Sequence, residues 1–164
     1  MGKVLVCYFS HTGNTEAFAK NILAKLQADG RDVEEFRIEP INAYPEGRDD
    51  CLPKAMEERT MGDRPEYIGD VDVSKYDTIF FGYPIWCGDL PMIVYNFLES
   101  HTFEGIKFYP FLTHGGSGEN NTFMTVGNLA VGAIRKDGLS MPGTLAPQEG
   151  GKKQAEYFAG QAEI

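Results

Sequence analysis

Apolar positions along the chain come in blocks, and the period changes from block to block. Lys3–Phe9 (KVLVCYF) is apolar almost throughout. Continuous rather than alternating hydrophobicity predicts a strand covered on both faces, as in a parallel sheet between helices. The polar turn Ser10–Asn14 follows. Thr15–Gln27 then places Phe18, Ile22 and Leu26 at i, i+4 and i+8, with Leu23 widening the stripe, which predicts a helix ended by Gly30. Val33–Ile38 reads as a second, weaker strand. Asp77–Tyr83 (DTIFFGY) reads as a third, Pro84–Asp89 as a turn, and Pro91–Ser100 as a helix with Asp89 as its cap. Ile106–Thr113 (IKFYPFLT) is the fourth strand, where Pro110 is expected to mark a strand end or bulge. Thr122–Arg135 is read as a helix, Leu139–Met141 as a short fifth strand in a Gly- and Pro-rich stretch, and Lys152–Gln161 as a terminal helix.

Strands alternating with helices imply right-handed crossovers and an α/β, doubly wound parallel sheet with helices on both faces. At 164 residues the expectation is one domain spanning 1–164. Ligands in such folds sit outside the carboxyl ends of the strands. The turns after the first, third and fourth strands should therefore meet at one edge.

Charge narrows the function. The chain has 15 Lys and Arg against 24 Asp and Glu, a net charge of −9. That excludes a duplex-binding surface, which needs a basic stripe to meet phosphates. Residues 39–72 hold 10 acidic and 4 basic residues, −6 of the total. With a helix expected over Asp49–Arg59 and Pro53 near its first turn, this excursion reads as a solvated face or an acidic docking surface. No run approaches the ~20 apolar residues of a membrane span. The three cysteines, Cys7, Cys51 and Cys87, form no C-x-x-C pair, which fits free thiols in a reducing compartment. A cytoplasmic monomer without membrane, metal or nucleic-acid partner is expected.

The three turns carry the candidate chemistry. In Ser10-His11-Thr12-Gly13-Asn14-Thr15, hydroxyls and main-chain N–H groups at a helix N-terminus suit a phosphate. The loop has neither G-x-x-x-x-G-K-[ST] nor G-x-G-x-x-G, and Cys7 is followed six residues later by Gly13 rather than Arg. A monophosphate bound by neutral donors remains. Tyr83-Pro84-Ile85-Trp86-Cys87-Gly88-Asp89 holds the only Trp of the chain, set in a turn where it can stack on a planar ring or plug the core edge. Thr113-His114-Gly115-Gly116-Ser117-Gly118 has three Gly in four residues, as a backbone wrapped closely around a ligand, or a flexible turn, would have.

With these loops in order, the sequence resembles the flavodoxins, in particular a bacterial flavodoxin-like family. CYFSHTGNTE is similar to their phosphate-loop signature, PIWCG to a Pro-x-Trp-x-Gly ring loop, and FLTHGGSG to a Thr-His-Gly-Gly-Ser-Gly loop. The likeness runs from residue 3 to about 118. It implies a five-stranded sheet of order 2-1-3-4-5 and FMN as cofactor. Ser10, Thr12, Asn14 and Thr15, with the N–H groups of His11 and Gly13, would hold the phosphate. Trp86, between Pro84-Ile85 and Cys87, would stack on the isoalloxazine. Backbone of Cys87, Gly88 and Thr113, His114, Gly115, Gly116, Ser117 and Gly118 would bond the pyrimidine edge. Cys87 stands where many members carry a second Trp, and His114 is the only ring in the third loop.

Two functions fit such a site. One is a low-potential electron carrier between protein partners, whose acidic surface steers it to redox partner proteins with basic docking faces. The alternative is an FMN-dependent NAD(P)H oxidoreductase of the quinone-reductase kind. A non-redox module binding another phosphate ligand is the bland third reading. The acidic chain and Asp89 are expected to disfavour an anionic reduced flavin. A peptide at Cys87-Gly88 or Gly88-Asp89 is expected to flip on reduction and offer its carbonyl to flavin N5–H, with Gly88 making the flip cheap.

Overall fold

The computed structural model describes residues 2–164. Among them the strands are β1 (Val4–Tyr8), β2 (Val33–Arg37), β3 (Thr78–Pro84), β4 (Lys107–His114), β5 (Ile134–Arg135) and β6 (Leu139–Pro142). The helices are α1 (Asn14–Ala28), α2 (Arg48–Met61), α3 (Met92–Glu99), α4 (Thr122–Leu129) and α5 (Glu149–Gly160). All strand pairs are parallel, in the order β2-β1-β3-β4-β5, with β6 also on β4.

The unbroken apolar strands are explained by the two layers that cover them. Val4, Val6 and Tyr8 of β1 point to the face where Phe18, Ile22 and Leu26 of α1 and Ala155 and Ala159 of α5 pack. Leu5, Cys7 and Phe9 point to the other, against Ile93, Val94 and Phe97 of α3 and Val126 of α4. β2 is weaker because it lies at the sheet edge, where Glu34 and Glu35 pair with Lys3 and Lys20. No helix of the described residues is long and apolar enough to cross a membrane.

The far edge is split where Pro110 sits. Lys107 and Phe108 pair with Ile134 and Arg135, and Phe111–His114 pair with Leu139–Pro142. Residues 136–138 therefore oppose only residues 109–110, a bulge of one extra residue. The carbonyls of Ile106 and Phe108 accept from Ile134 and Lys136 at 2.8 and 3.0 Å. Strand alternation turns position 110 to the same side, and proline has no N–H to continue the ladder. β4 itself runs through Pro110, so the bulge falls on its partner.

Two element readings are corrected by the same accounting of backbone groups. The helix expected over Thr122–Arg135 stops at Leu129, because Ile134 and Lys136 are needed as donors at the sheet edge. Asp89 does not cap α3. Pro91 occupies the cap position without a side-chain bond, and Asp89 Oδ1 accepts instead from Leu90 N–H (2.7 Å) and Tyr95 O–H (2.9 Å). α2 begins at Arg48, which puts Pro53 in its second turn.

The acidic excursion is pinned at its base. Ile41 N–H donates to Glu66 C=O (3.0 Å) and Ile68 N–H to Glu39 C=O (2.7 Å), a short antiparallel clasp. Between the clasped ends, α2 turns Cys51, Ala55 and Glu58 inward and leaves its remaining face in solvent.

Candidate functional site

β1, β3 and β4 are neighbours in the sheet, and the turns leaving their carboxyl ends meet at one edge. The chain reverses its direction of winding between β1 and β3, the place where open α/β sheets form a crevice.

The first turn enters α1 through Gly13, whose φ of 96° a side-chain-bearing residue rarely adopts. The backbone N–H groups of residues 11–15 make no hydrogen bond with any described residue. They form an open set of donors at the positive end of a helix. The side chains divide. Ser10 is buried and its Oγ accepts from Glu16 N–H at 3.1 Å. Thr15 is buried and its hydroxyl meets that of Thr113 at 2.8 Å, tying the first turn to β4. Asn14 lies against Gly143, where a β-carbon would sit 2.7 Å from the Asn14 amide nitrogen. Thr12 is exposed. Of the four polar side chains expected to face a phosphate, Thr12 is the one left in solvent, and backbone supplies the other donors.

The second turn is a two-residue reversal. Trp86 and Asp89 exchange N–H···O=C bonds of 2.9 and 3.0 Å, and Cys87 and Gly88 both have positive φ, 53° and 71°. That is type I′, with Cys87 at a position where a β-carbon is strained. The half-buried Trp86 ring meets Tyr44, Phe9 and His11 edge to face, with centroids at 4.9, 5.2 and 5.9 Å. Each such pair contributes about 0.5–1.5 kcal/mol beyond area burial, so the indole is held in one orientation. Ile85 N–H donates to Thr113 C=O at 2.9 Å, and Pro84 is in register with Thr113, which joins this turn to the third.

The third turn is exposed at Gly115, Gly116 and Ser117 and is ordered from within: Gly116 N–H donates to His114 Nδ1 at 2.9 Å. Gly116 and Gly118 have positive φ. Its far end is anchored through Thr122, whose Oγ1 accepts from Tyr83 O–H (3.0 Å) and donates to Glu119 C=O (2.6 Å). Asn120 reaches back to Gly88, 3.7 Å from where a β-carbon there would lie.

His11, Thr12, Ile85, Trp86 and Cys87 line one cavity of about 110 Å³, together with Arg48, Cys51, Leu52 and Ala55 of α2. A larger groove of about 510 Å³ opens on the other side of Tyr44, beside Lys54 and Arg64, and touches none of the three turns. Two buried polar atoms at the turns have no partner: His11 Nε2 and Glu119 Oε2. Buried polar atoms are normally satisfied, so these two suit a ligand that brings its own donors and acceptors. Burial, then the negative charges of Glu58 and Cys87, push the Cys51 thiol up, which disfavours its thiolate.

The α2 contribution escaped the sequence reading. Its inward residues, Cys51, Ala55 and Glu58, do have helical spacing, but a Glu in the third place hides the stripe. Glu58 is nonetheless buried, accepting from Tyr44 O–H at 2.7 Å, and Tyr44 in turn props Trp86. Arg59, from the same helix, pairs with Asp89 at 3.6 Å.

Among solved structures, a flavoprotein from Bacteroides uniformis ATCC 8492 is 28% identical, with a TM-score of 0.69 over 90% of this chain and 96% of that one. One from Bacteroides eggerthii DSM 20697 is 25% identical, with a TM-score of 0.75 over 96% of each chain. A flavoprotein in complex with FMN from Lactobacillus acidophilus NCFM is 20% identical, with a TM-score of 0.70 over 88% of this chain and 96% of that one, a likeness of fold. No curated protein sequence matches the chain. The flavodoxin family's sequence profile matches residues 3–154, nearly the whole length. With that match, the sheet order and the three turns at one edge, the chain belongs to the flavodoxin family.

Proposed function

We propose that the protein binds FMN at the carboxyl edge of its sheet and carries electrons between protein partners. The observation that carries this reading is the set of unbonded N–H groups over residues 11–15, open at the start of α1 beside the cavity that Trp86 lines. A neutral donor nest next to a fixed indole suits a phosphate joined to a planar ring.

In this reading the backbone of His11, Thr12, Gly13, Asn14 and Thr15 and the Thr12 hydroxyl hold the phosphate. Ser10, Asn14 and Thr15 shape the nest through their own bonds. Trp86 packs on the ring, oriented by Phe9, His11 and Tyr44. Backbone of Cys87, Gly88 and the Thr113–Gly118 turn meets the polar ring edge, with Pro84 and Ile85 setting the distance between the two turns. Bound FMN supplies one- and two-electron chemistry, and the protein sets its orientation and electrostatics. The exposure of Gly115, Gly116 and Ser117 leaves one side of the site open to a docking partner. The net charge of −9 favours a basic docking face on that partner.

The test is anaerobic stepwise reduction of FMN-saturated protein followed by absorbance, beside an assay of NAD(P)H oxidation with no partner present. Reduction through a one-electron form, with no direct NAD(P)H oxidation, is expected of a carrier. Rapid NAD(P)H oxidation by the protein alone, with passage straight to the two-electron form, would replace this reading with the oxidoreductase.

A further inference from the structure

Arg48 stands where local rules least favour it. It is the first residue of α2, at the positive end of the helix dipole, where cations are destabilising. It makes no ion pair or hydrogen bond with any described residue, although Asp49 and Asp50 follow it directly. The other cations of the excursion are all paired: Lys54 with Glu57 and Glu58, Arg59 with Asp89, and Arg64 with Glu99.

The guanidinium lies instead against the third turn. Its Nη2, Cζ and Nη1 are 3.5, 3.7 and 3.8 Å from the place a β-carbon on Gly115 would take. Arg48 also lines the cavity formed by His11 and Thr12 of the first turn and Trp86 and Cys87 of the second. One side chain from outside the three turns thus lies against the third and shares a cavity with the first two, where His11 Nε2 has no partner. Its charge at the start of α2 opposes the helix dipole. An anion at the junction of the turns offsets that cost.

We propose that Arg48 is the counter-charge of the bound flavin, favouring the anionic two-electron-reduced form over the neutral oxidised ring. This rests on the FMN reading above. Reduction of the ring by two electrons and one proton leaves one negative charge on it, the electrons coming from the external reductant. Arg48 is itself exposed where it lines the cavity; a cation there stabilises that charge more than it does the neutral ring, so it acts on the difference between the two states. The acidic chain does not cancel it locally. Asp89, the carboxylate of the second turn, is already met by Arg59 at 3.6 Å. Glu119, on the third turn, is the opposing carboxylate.

The experiment compares FMN-loaded wild type with Arg48→Gln and Arg48→Lys. Lys75→Gln, at the amino end of the sheet and far from the turns, serves as the charge control. Dissociation constants for oxidised FMN and riboflavin come from flavin fluorescence, and the two-electron midpoint from spectroelectrochemistry. Arg48→Gln is expected to leave oxidised FMN binding within about threefold and to weaken reduced FMN about tenfold. That lowers the two-electron midpoint by about 30 mV. Arg48→Lys should keep most of the wild-type value, and Lys75→Gln should not differ from it. An unshifted midpoint in loaded Arg48→Gln overturns the proposal. So does an equal loss of oxidised and reduced FMN with riboflavin unaffected, which would make Arg48 a phosphate ligand. Failure of the wild type to bind FMN is a separate result, seen in the first titration, and overturns the cofactor reading together with this one.

Discussion

Glu58 places a carboxylate on the one inward stripe of an otherwise solvated helix, and its environment has a measurable consequence. Burial raises its pKa above the ordinary carboxylate value, although the Tyr44 hydroxyl and Lys54 oppose the shift. A folded-state pKa above the unfolded value means that the folded state holds the proton more tightly. The resulting stability is full below the unfolded pKa and is lost as pH rises through the folded one. Glu58→Gln keeps an acceptor for Tyr44 and removes the buried charge. Its melting temperature is expected to exceed wild type by about 2–4 °C at pH 7, for about 1 kcal/mol, with the gain vanishing towards pH 4. Calorimetry at the two pH values checks this, and a gain that grows on acidification would contradict it. Trp86 acts at the same scale. Trp86→Ala should weaken FMN binding about 10- to 100-fold, or about 1.4–2.8 kcal/mol, read by flavin fluorescence.

At the scale of elements, close backbone approach decides which side chains fit. Gly82 of β3 faces Phe111 of β4 in register, and a β-carbon there would lie 2.2 Å from the Phe111 ring. Gly82→Ala is expected to cost about 1–3 kcal/mol by overpacking, with most of it recovered in Gly82→Ala/Phe111→Leu. Chemical denaturation of both variants tests the pairing. The second turn constrains the expected peptide flip in the same way. Rotating the Cys87-Gly88 peptide converts type I′ to type II′, which wants Gly at the first central position, and Cys87 holds that position. Rotating Gly88-Asp89 would break the Asp89 N–H bond to Trp86 C=O. Gly88 alone therefore does not make the flip cheap. Cys87→Gly is expected to raise the yield of one-electron-reduced flavin in a stepwise titration, and an unchanged yield would remove Cys87 as the obstacle.

At the scale of the molecule, charge contributes more to the long-range field than to stability. Most ion pairs of the excursion are solvent-exposed and individually worth about 0–1 kcal/mol. Their sum with the rest of the chain, −9, shapes the long-range field. Electron transfer from a basic partner is expected to slow by about tenfold between low and physiological ionic strength, as the screening length falls to ~8 Å. Stopped-flow mixing across a salt series measures this, and a flat profile would exclude electrostatic steering.

How far the sequence reached follows from which interactions are local. The buried strands were legible as continuous apolar runs, because both faces of a parallel sheet are covered whatever the partners are. The three turns were legible as glycines and hydroxyls at strand ends, because turn chemistry depends on neighbours in the chain. The sheet edge was not. Whether Ile134 belongs to a helix or a strand depended on free carbonyls at Ile106 and Phe108, almost thirty residues away, and on a proline between the two paired segments. Nor was the fourth wall of the site. Tyr44, Arg48 and Glu58 sit in a polar, acidic stretch that reads as solvent-facing, and only the docking of α2 beside the turns makes one a prop for Trp86 and another a cation at their junction. Local pattern sets the elements and their turns, whereas long-range packing sets which residues of a surface helix face inward and which lie beside the turns.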